Sequence, residues 1–154
     1  MARISNILLR ELPAQHTLSV RRTIDFMTEY SDFSGNSLGA VHDYLAGLGA
    51  LPGGAPFTCF HNQDLEALDV EVGYPAAHPV PGQGVITANE LPARRVVTAI
   101  DQGPYEAQDP TLHAIYAWIA ENDLIAKGPI YYNYLNDPGR DEEEYLTEMI
   151  VEVE

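Results

Sequence analysis

At 154 residues with 45% hydrophobic content, the chain has the size of one domain, or of two small modules sharing a core. Twenty-three acidic against eight basic residues give a formal net charge of −15. That field repels phosphate backbones, which argues against direct nucleic-acid binding, and it draws cationic small molecules or basic protein surfaces instead. No apolar run reaches the roughly eighteen residues of a membrane span, and a single cysteine, Cys59, excludes an internal disulfide. The N-terminal apolar run is too short for a secretory signal. A leaderless chain without a disulfide is expected in the cytoplasm.

In chain order, residues 3–10 read as a strand leading into Glu11-Leu12-Pro13-Ala14. The β-branched run Thr17 to Ile24 predicts a second strand. Asp32 to Ser37 (D-F-S-G-N-S) reads as a loop, with Asn36 or Ser37 capping a helix whose stripe is Leu38, Val41, Leu45 and Leu48. Gly47, Gly49 and the L-P-G-G stretch end it. Short strands follow at 56–62 and 67–74. Ala76 to Gln83, rich in Pro, Gly and small residues, reads as a linker between halves. The tetrapeptide then recurs as Glu90-Leu91-Pro92-Ala93. A Val/Thr/Ile strand at 94–100 and a break at Gly103-Pro104 come next. Asp109-Pro110 starts a helix with Leu112, Ile115, Tyr116 and Ile119 inward, and Gly128-Pro129 stops it. A strand at 130–135, an acidic hairpin turn, and a closing strand at 144–153 complete the chain.

The order strand, helix, strand, strand therefore occurs twice. The expected architecture is α+β, two pseudo-symmetric strand–helix–strand–strand modules (about 1–78 and about 84–154) around a central ligand cleft, within one domain. Alternation along the closing strand puts Thr147, Met149, Val151 and Val153 on one face and Leu146, Glu148, Ile150 and Glu152 on the other. Glu148 is thus an acid flanked by apolar residues, expensive to desolvate unless paired. Its repeat counterpart, Glu71, shares a face with Asp69 and Gly73 and reads as more solvated.

The nine tyrosines supply aromatic faces, each worth roughly 0.5–2 kcal/mol to a cation. With Glu148 they form a candidate box for a hydrophobic cation, lined by Trp118, Tyr134, Tyr105 and Tyr132, with His61 as a further candidate contact. The five histidines show no close metal-ligand spacing, and no P-loop, dinucleotide fingerprint or G-x-S-x-G elbow occurs. Neither a metal nor a cofactor is expected, and Cys59 reads as a small strand residue.

Several segments together resemble the GyrI-like small-molecule-binding domain, the effector-binding domain of AraC- and MerR-type multidrug regulators. They are E-L-P-A, G-P-Y-E (Gly103 to Glu106), A-I-Y-A-W-I-A-E-N (Ala114 to Asn122), Y-L-N-D-P (Tyr134 to Pro138) and L-T-E-M (Leu146 to Met149). The resemblance implies a central pocket for lipophilic, often cationic compounds, with a buried glutamate at its floor. It carries that role onto Glu148 and the aromatic walls onto Tyr134 and Trp118. No helix-turn-helix flanks the domain, so a stand-alone member is expected. Stand-alone relatives leave further readings open. One is a hydrolase opening strained cyclopropane-type compounds, with Glu148 as base and Tyr134 as acid. Another is a gyrase-inhibitor-like module with a protein partner or a homodimer.

Overall fold

A computed structural model describes residues 2–154. Its elements are β1 (Ala2–Arg3), β2 (Leu8–Leu12), β3 (Gln15–Ile24), α1 (Phe26–Gly47), β4 (Phe57–Phe60), β5 (Leu68–Ala76), β6 (Thr87–Leu91), β7 (Arg94–Gln102), α2 (Asp109–Glu121), β8 (Ala126–Tyr134) and β9 (Leu146–Val153). The fold is mixed α+β with two long helices, as the sequence predicts, and its paired strands run antiparallel.

Three local expectations are corrected. The segment read as a loop at Asp32 to Ser37 lies inside α1, which starts at Phe26 under an Asp25 cap. The Asp25 carboxylate accepts from the Thr28 N–H at 3.2 Å, and Glu29 accepts from the Asp25 N–H at 3.2 Å. Phe33, Ser37, Val41 and Leu45 are buried at four-residue spacing along one face. That packing outweighs the poor helix propensity of Gly35 and Asn36. Gly128-Pro129 does not stop α2. The helix ends at Glu121, beyond which Asp123 takes φ 57 and the Leu124 N–H reaches the Ile119 carbonyl. Gly128-Pro129 instead sits within β8 where its register against β9 shifts, the kind of irregularity that tolerates a strand proline. The cap of α2 is Gln108, one residue before the expected Asp109.

The chain forms two compact units whose limits are not those of its halves. One is Pro13–Ala93; the other joins the segment ending at Leu12 to Arg94–Glu154. The first boundary falls within one copy of E-L-P-A and the second at the end of the other, where Pro13 and Pro92 offer no N–H to a ladder. The segment Ala76 to Gln83, expected as a linker, is held in the first unit. The Ala77 N–H donates to Leu51, and the Tyr44 hydroxyl donates to the Pro81 carbonyl at 2.7 Å.

In the unit Pro13–Ala93 the strand order is β4-β5-β3-β6. Helix α1 covers one face, where Leu18, Val20, Val70 and Val72 pack with Phe33, Val41 and Leu45. In the second unit the order is β2-β7-β9-β8, with β1 also on β7. Helix α2 covers one face there, through Val97, Ala99, Met149, Val151, Val153, Ile115 and Ile119. Each unit thus repeats the same plan, and in each the other sheet face carries no helix of its own.

Candidate functional site

In the second unit, strand pairing decides which side chains share the helix-free face. Glu148 lies opposite Ile100 on β7 and Asn133 on β8, while Ile150 lies opposite Thr98 and Tyr131. Directly paired residues point the same way. Arg10 and Arg94 join them, because Arg10 pairs with Val96 and Leu12 with Arg94. The face therefore combines Ile100, Ile150 and Tyr131 with two acid–arginine pairs. Arg10 Nη1 lies 3.0 Å from Glu148 Oε2, with side-chain exposures of 45% and 17%. Arg94 is 9% exposed, lies 3.7 Å from Glu152, and stacks its guanidinium 4.5 Å from the Tyr131 ring centre. Its buried Nη1 makes no hydrogen bond among the described residues.

The aromatic residues expected around Glu148 lie elsewhere. Tyr132 and Tyr134 pair with Met149 and Thr147 and so face the α2 side. Trp118, on α2, packs with Tyr132 against that core. Tyr105 stacks on Tyr145 at 4.8 Å and tilts against Tyr134 at 5.4 Å. The aromatic on Glu148's own face is Tyr131. Alternation along β8 could have found it, once β8 was set in register with β9. The most buried acid of this unit is Asp101, 1% exposed, which accepts from the Thr111 hydroxyl on the first turn of α2.

His61 belongs to the first unit, on its helix-free face. Cys59 of β4 lies directly opposite Glu71 of β5, and His61 follows two residues on, its N–H donating to the Asp69 carbonyl. His61 Nε2 lies 2.8 Å from Glu71 Oε1 and 3.5 Å from Cys59 Sγ. The Ser19 hydroxyl donates to the other Glu71 oxygen. Glu71 is thus not the solvated acid expected from its neighbours: its side chain is 13% exposed. Gly73 is the cause. A Cβ there would meet the Leu18 carbonyl oxygen at 2.1 Å and Ser19 Cα at 2.8 Å, so its absence brings Ser19 against β5. Burial alone would raise the Glu71 carboxyl, but the His61 and Ser19 hydrogen bonds outweigh it and hold it below the ordinary value. Arg21, opposite Glu71, gives two hydrogen bonds to Asp69 instead, at 2.8 and 2.7 Å.

No described helix is long and apolar enough to cross a membrane. None of the curated proteins matches the chain. Among solved structures, the C-terminal domain of EcmrR superposes with a TM-score of 0.84 at 20% identity, covering 98% of both chains. Against the EcmrR chain in its DNA complex with RPo, the match covers 97% of this chain and 57% of that one, at 20% identity and TM-score 0.83. SAV2435 bound to tetraphenylphosphonium matches at TM-score 0.64 and 13% identity, over 97% and 94%. A hydrolase from Listeria innocua matches at TM-score 0.68 and 15% identity, over 95% and 91%. At these identities the likeness is one of fold. The family profile of the GyrI-like small molecule binding domain matches residues 6–154, and the chain belongs to that family.

Proposed function

We propose that this small-molecule-binding domain takes a lipophilic cation on the helix-free face of β7, β9 and β8, with Glu148 as its counter-ion. The observation that carries this reading is the Arg10–Glu148 pair. The acid is largely withdrawn from water while its arginine is 45% exposed. A resident cation so placed can swing into solvent and surrender the carboxylate to an incoming one. Ile100, partly exposed and directly opposite Glu148 on β7, supplies apolar contact area beside it. Tyr131 already holds the Arg94 guanidinium against its ring, an internal precedent for cation–π attraction. The −15 net charge raises the local concentration of cations. The relative bound to tetraphenylphosphonium supports the same ligand class.

Binding is favoured over hydrolysis by a Glu148–Tyr134 pair. Their positions on adjacent strands face opposite sides of the sheet, too far apart in direction to share one reacting centre. Tetraphenylphosphonium is a suitable probe, because it is permanently charged and has no hydrogen-bond donor. Calorimetric titration should give one site per chain, and Glu148→Gln should weaken it about tenfold, or 1.4 kcal/mol. Equal affinity in a folded Glu148→Gln protein would remove Glu148 from the site.

A further inference from the structure

The cluster on the helix-free face of the first unit has a geometry that hydrogen bonding alone does not require. One thiol, one imidazole nitrogen and one carboxylate oxygen, from Cys59, His61 and Glu71, all lie within 4.8 Å of one another. Two readings compete. A nucleophile–histidine–acid relay needs the thiol and the acid on opposite ring nitrogens, so that the acid orients the ring while the other nitrogen takes the proton. Here both contact the same atom, Nε2, at 3.5 and 2.8 Å. The arrangement is therefore wrong for a relay and right for donor atoms converging on one centre. With metal–sulfur, metal–nitrogen and metal–oxygen bonds of about 2.3, 2.05 and 2.1 Å, a tetrahedral centre sets sulfur and nitrogen about 3.5 Å apart, as they stand, and nitrogen and oxygen about 3.4 Å apart, so the 2.8 Å His61–Glu71 hydrogen bond opens by about 0.6 Å as the ion enters.

We propose that Cys59, His61 and Glu71 form a three-residue binding site for a single Zn2+ ion. The mixed sulfur, nitrogen and oxygen set suits zinc. Three protein ligands leave the fourth position to water or to a donor atom of a bound molecule, the pattern of open rather than purely structural zinc sites. Rigid elements hold the donors: Cys59 and Glu71 are direct cross-strand partners, and His61 is fixed through its backbone to Asp69. The Ser19 hydroxyl anchors the second carboxylate oxygen and so orients the first, a supporting shell around the ligands. Arg21, opposite Glu71 on β3, is engaged by Asp69. Cys59 is fully buried, so the ion enters past His61 and Glu71, 18% and 13% exposed. Binding converts the Cys59 thiol to thiolate and releases its proton to solvent. It also moves the imidazole proton to Nδ1, freeing the Nε2 lone pair for the metal.

The proposal goes beyond the cation reading of Glu148, and the failure of either leaves the other standing. The test uses the whole chain, freed of metal by chelator dialysis. Co2+ addition should produce thiolate-to-cobalt charge-transfer absorption with the intense visible bands of four-coordinate cobalt, and one equivalent of Zn2+ should bleach both. Cys59→Ser should abolish the charge-transfer band and weaken Zn2+ at least tenfold. Ser19→Ala, which removes no ligand, should weaken it about tenfold, and His42→Ala, at an exposed histidine, should change nothing. Should Cys59→Ser fail to fold, His61→Asn and Glu71→Gln, at partly exposed side chains, should each weaken Zn2+ at least tenfold. No charge-transfer band in the wild-type protein, or zinc affinity unmoved by His61→Asn and Glu71→Gln, would overturn the proposal.

Discussion

Replacing Arg10 with alanine should tighten the binding of a lipophilic cation, which is the reverse of what losing a ligand contact does. Arg10 Nη1 sits 3.0 Å from Glu148. At an effective dielectric of about 20 the gross attraction there is about 5.5 kcal/mol. Water around a guanidinium that is 45% exposed, together with the entropy of a long side chain, cuts the net value to about 1 kcal/mol. An incoming cation must forfeit that amount, so Arg10→Ala should lower the Kd about fivefold. The gain depends on the acid. In a Glu148→Gln background Arg10→Ala should be neutral, giving a coupling of about 1 kcal/mol in the double-mutant cycle. Calorimetry with tetraphenylphosphonium at about 0.1 M salt reads all four proteins under moderate screening. Weaker or equal binding by a folded Arg10→Ala protein would refute the exchange of one cation for another.

Two further expectations concern the scaffold. Gly73→Ala should destabilise the protein by about 1–3 kcal/mol, since its Cβ would sit 2.1 Å from the Leu18 carbonyl oxygen. In thermal unfolding that is a fall of roughly 2–4 °C per kcal/mol, and an unchanged Tm would mean that β3 and β5 are farther apart than described. Asp25→Ala removes the cap of α1 and should cost about 1 kcal/mol, measured by urea unfolding with an unchanged slope. A value near zero would mean that the Asp25 carboxylate does not cap α1.

Much of the fold is legible because it is local. Alternation along β9 separates Glu148 and Ile150 from Met149 and Val151, and the structure keeps that separation. The repeated strand–helix–strand–strand order likewise appears in both units. What escapes is decided by tertiary pairing. The first half of α1 holds Gly35, Asn36 and Ser34, which read as loop until Phe33 and Ser37 are seen buried under the helix. The E-L-P-A copies are visible as a repeat, yet nothing local says that β2 pairs with β7 and β6 with β3. The aromatic wall shifts for the same reason. Tyr131, Tyr132 and Tyr134 are equivalent in composition, and only register against β9 puts Tyr131 on Glu148's side. The Cys59–His61–Glu71 cluster needs the β4–β5 register too. Its sequence traces are a Cys-x-His step on one strand face and a glycine, Gly73, in a strand interior.

The most direct test of the Glu148 reading is a crystal structure of the domain with tetraphenylphosphonium bound. The phosphonium should lie on the helix-free face of β7, β9 and β8 beside the Glu148 carboxylate, with the Arg10 guanidinium turned into solvent. A ligand seated instead among Trp118, Tyr105, Tyr132 and Tyr134 on the α2 side, with the Arg10–Glu148 pair intact, would contradict it.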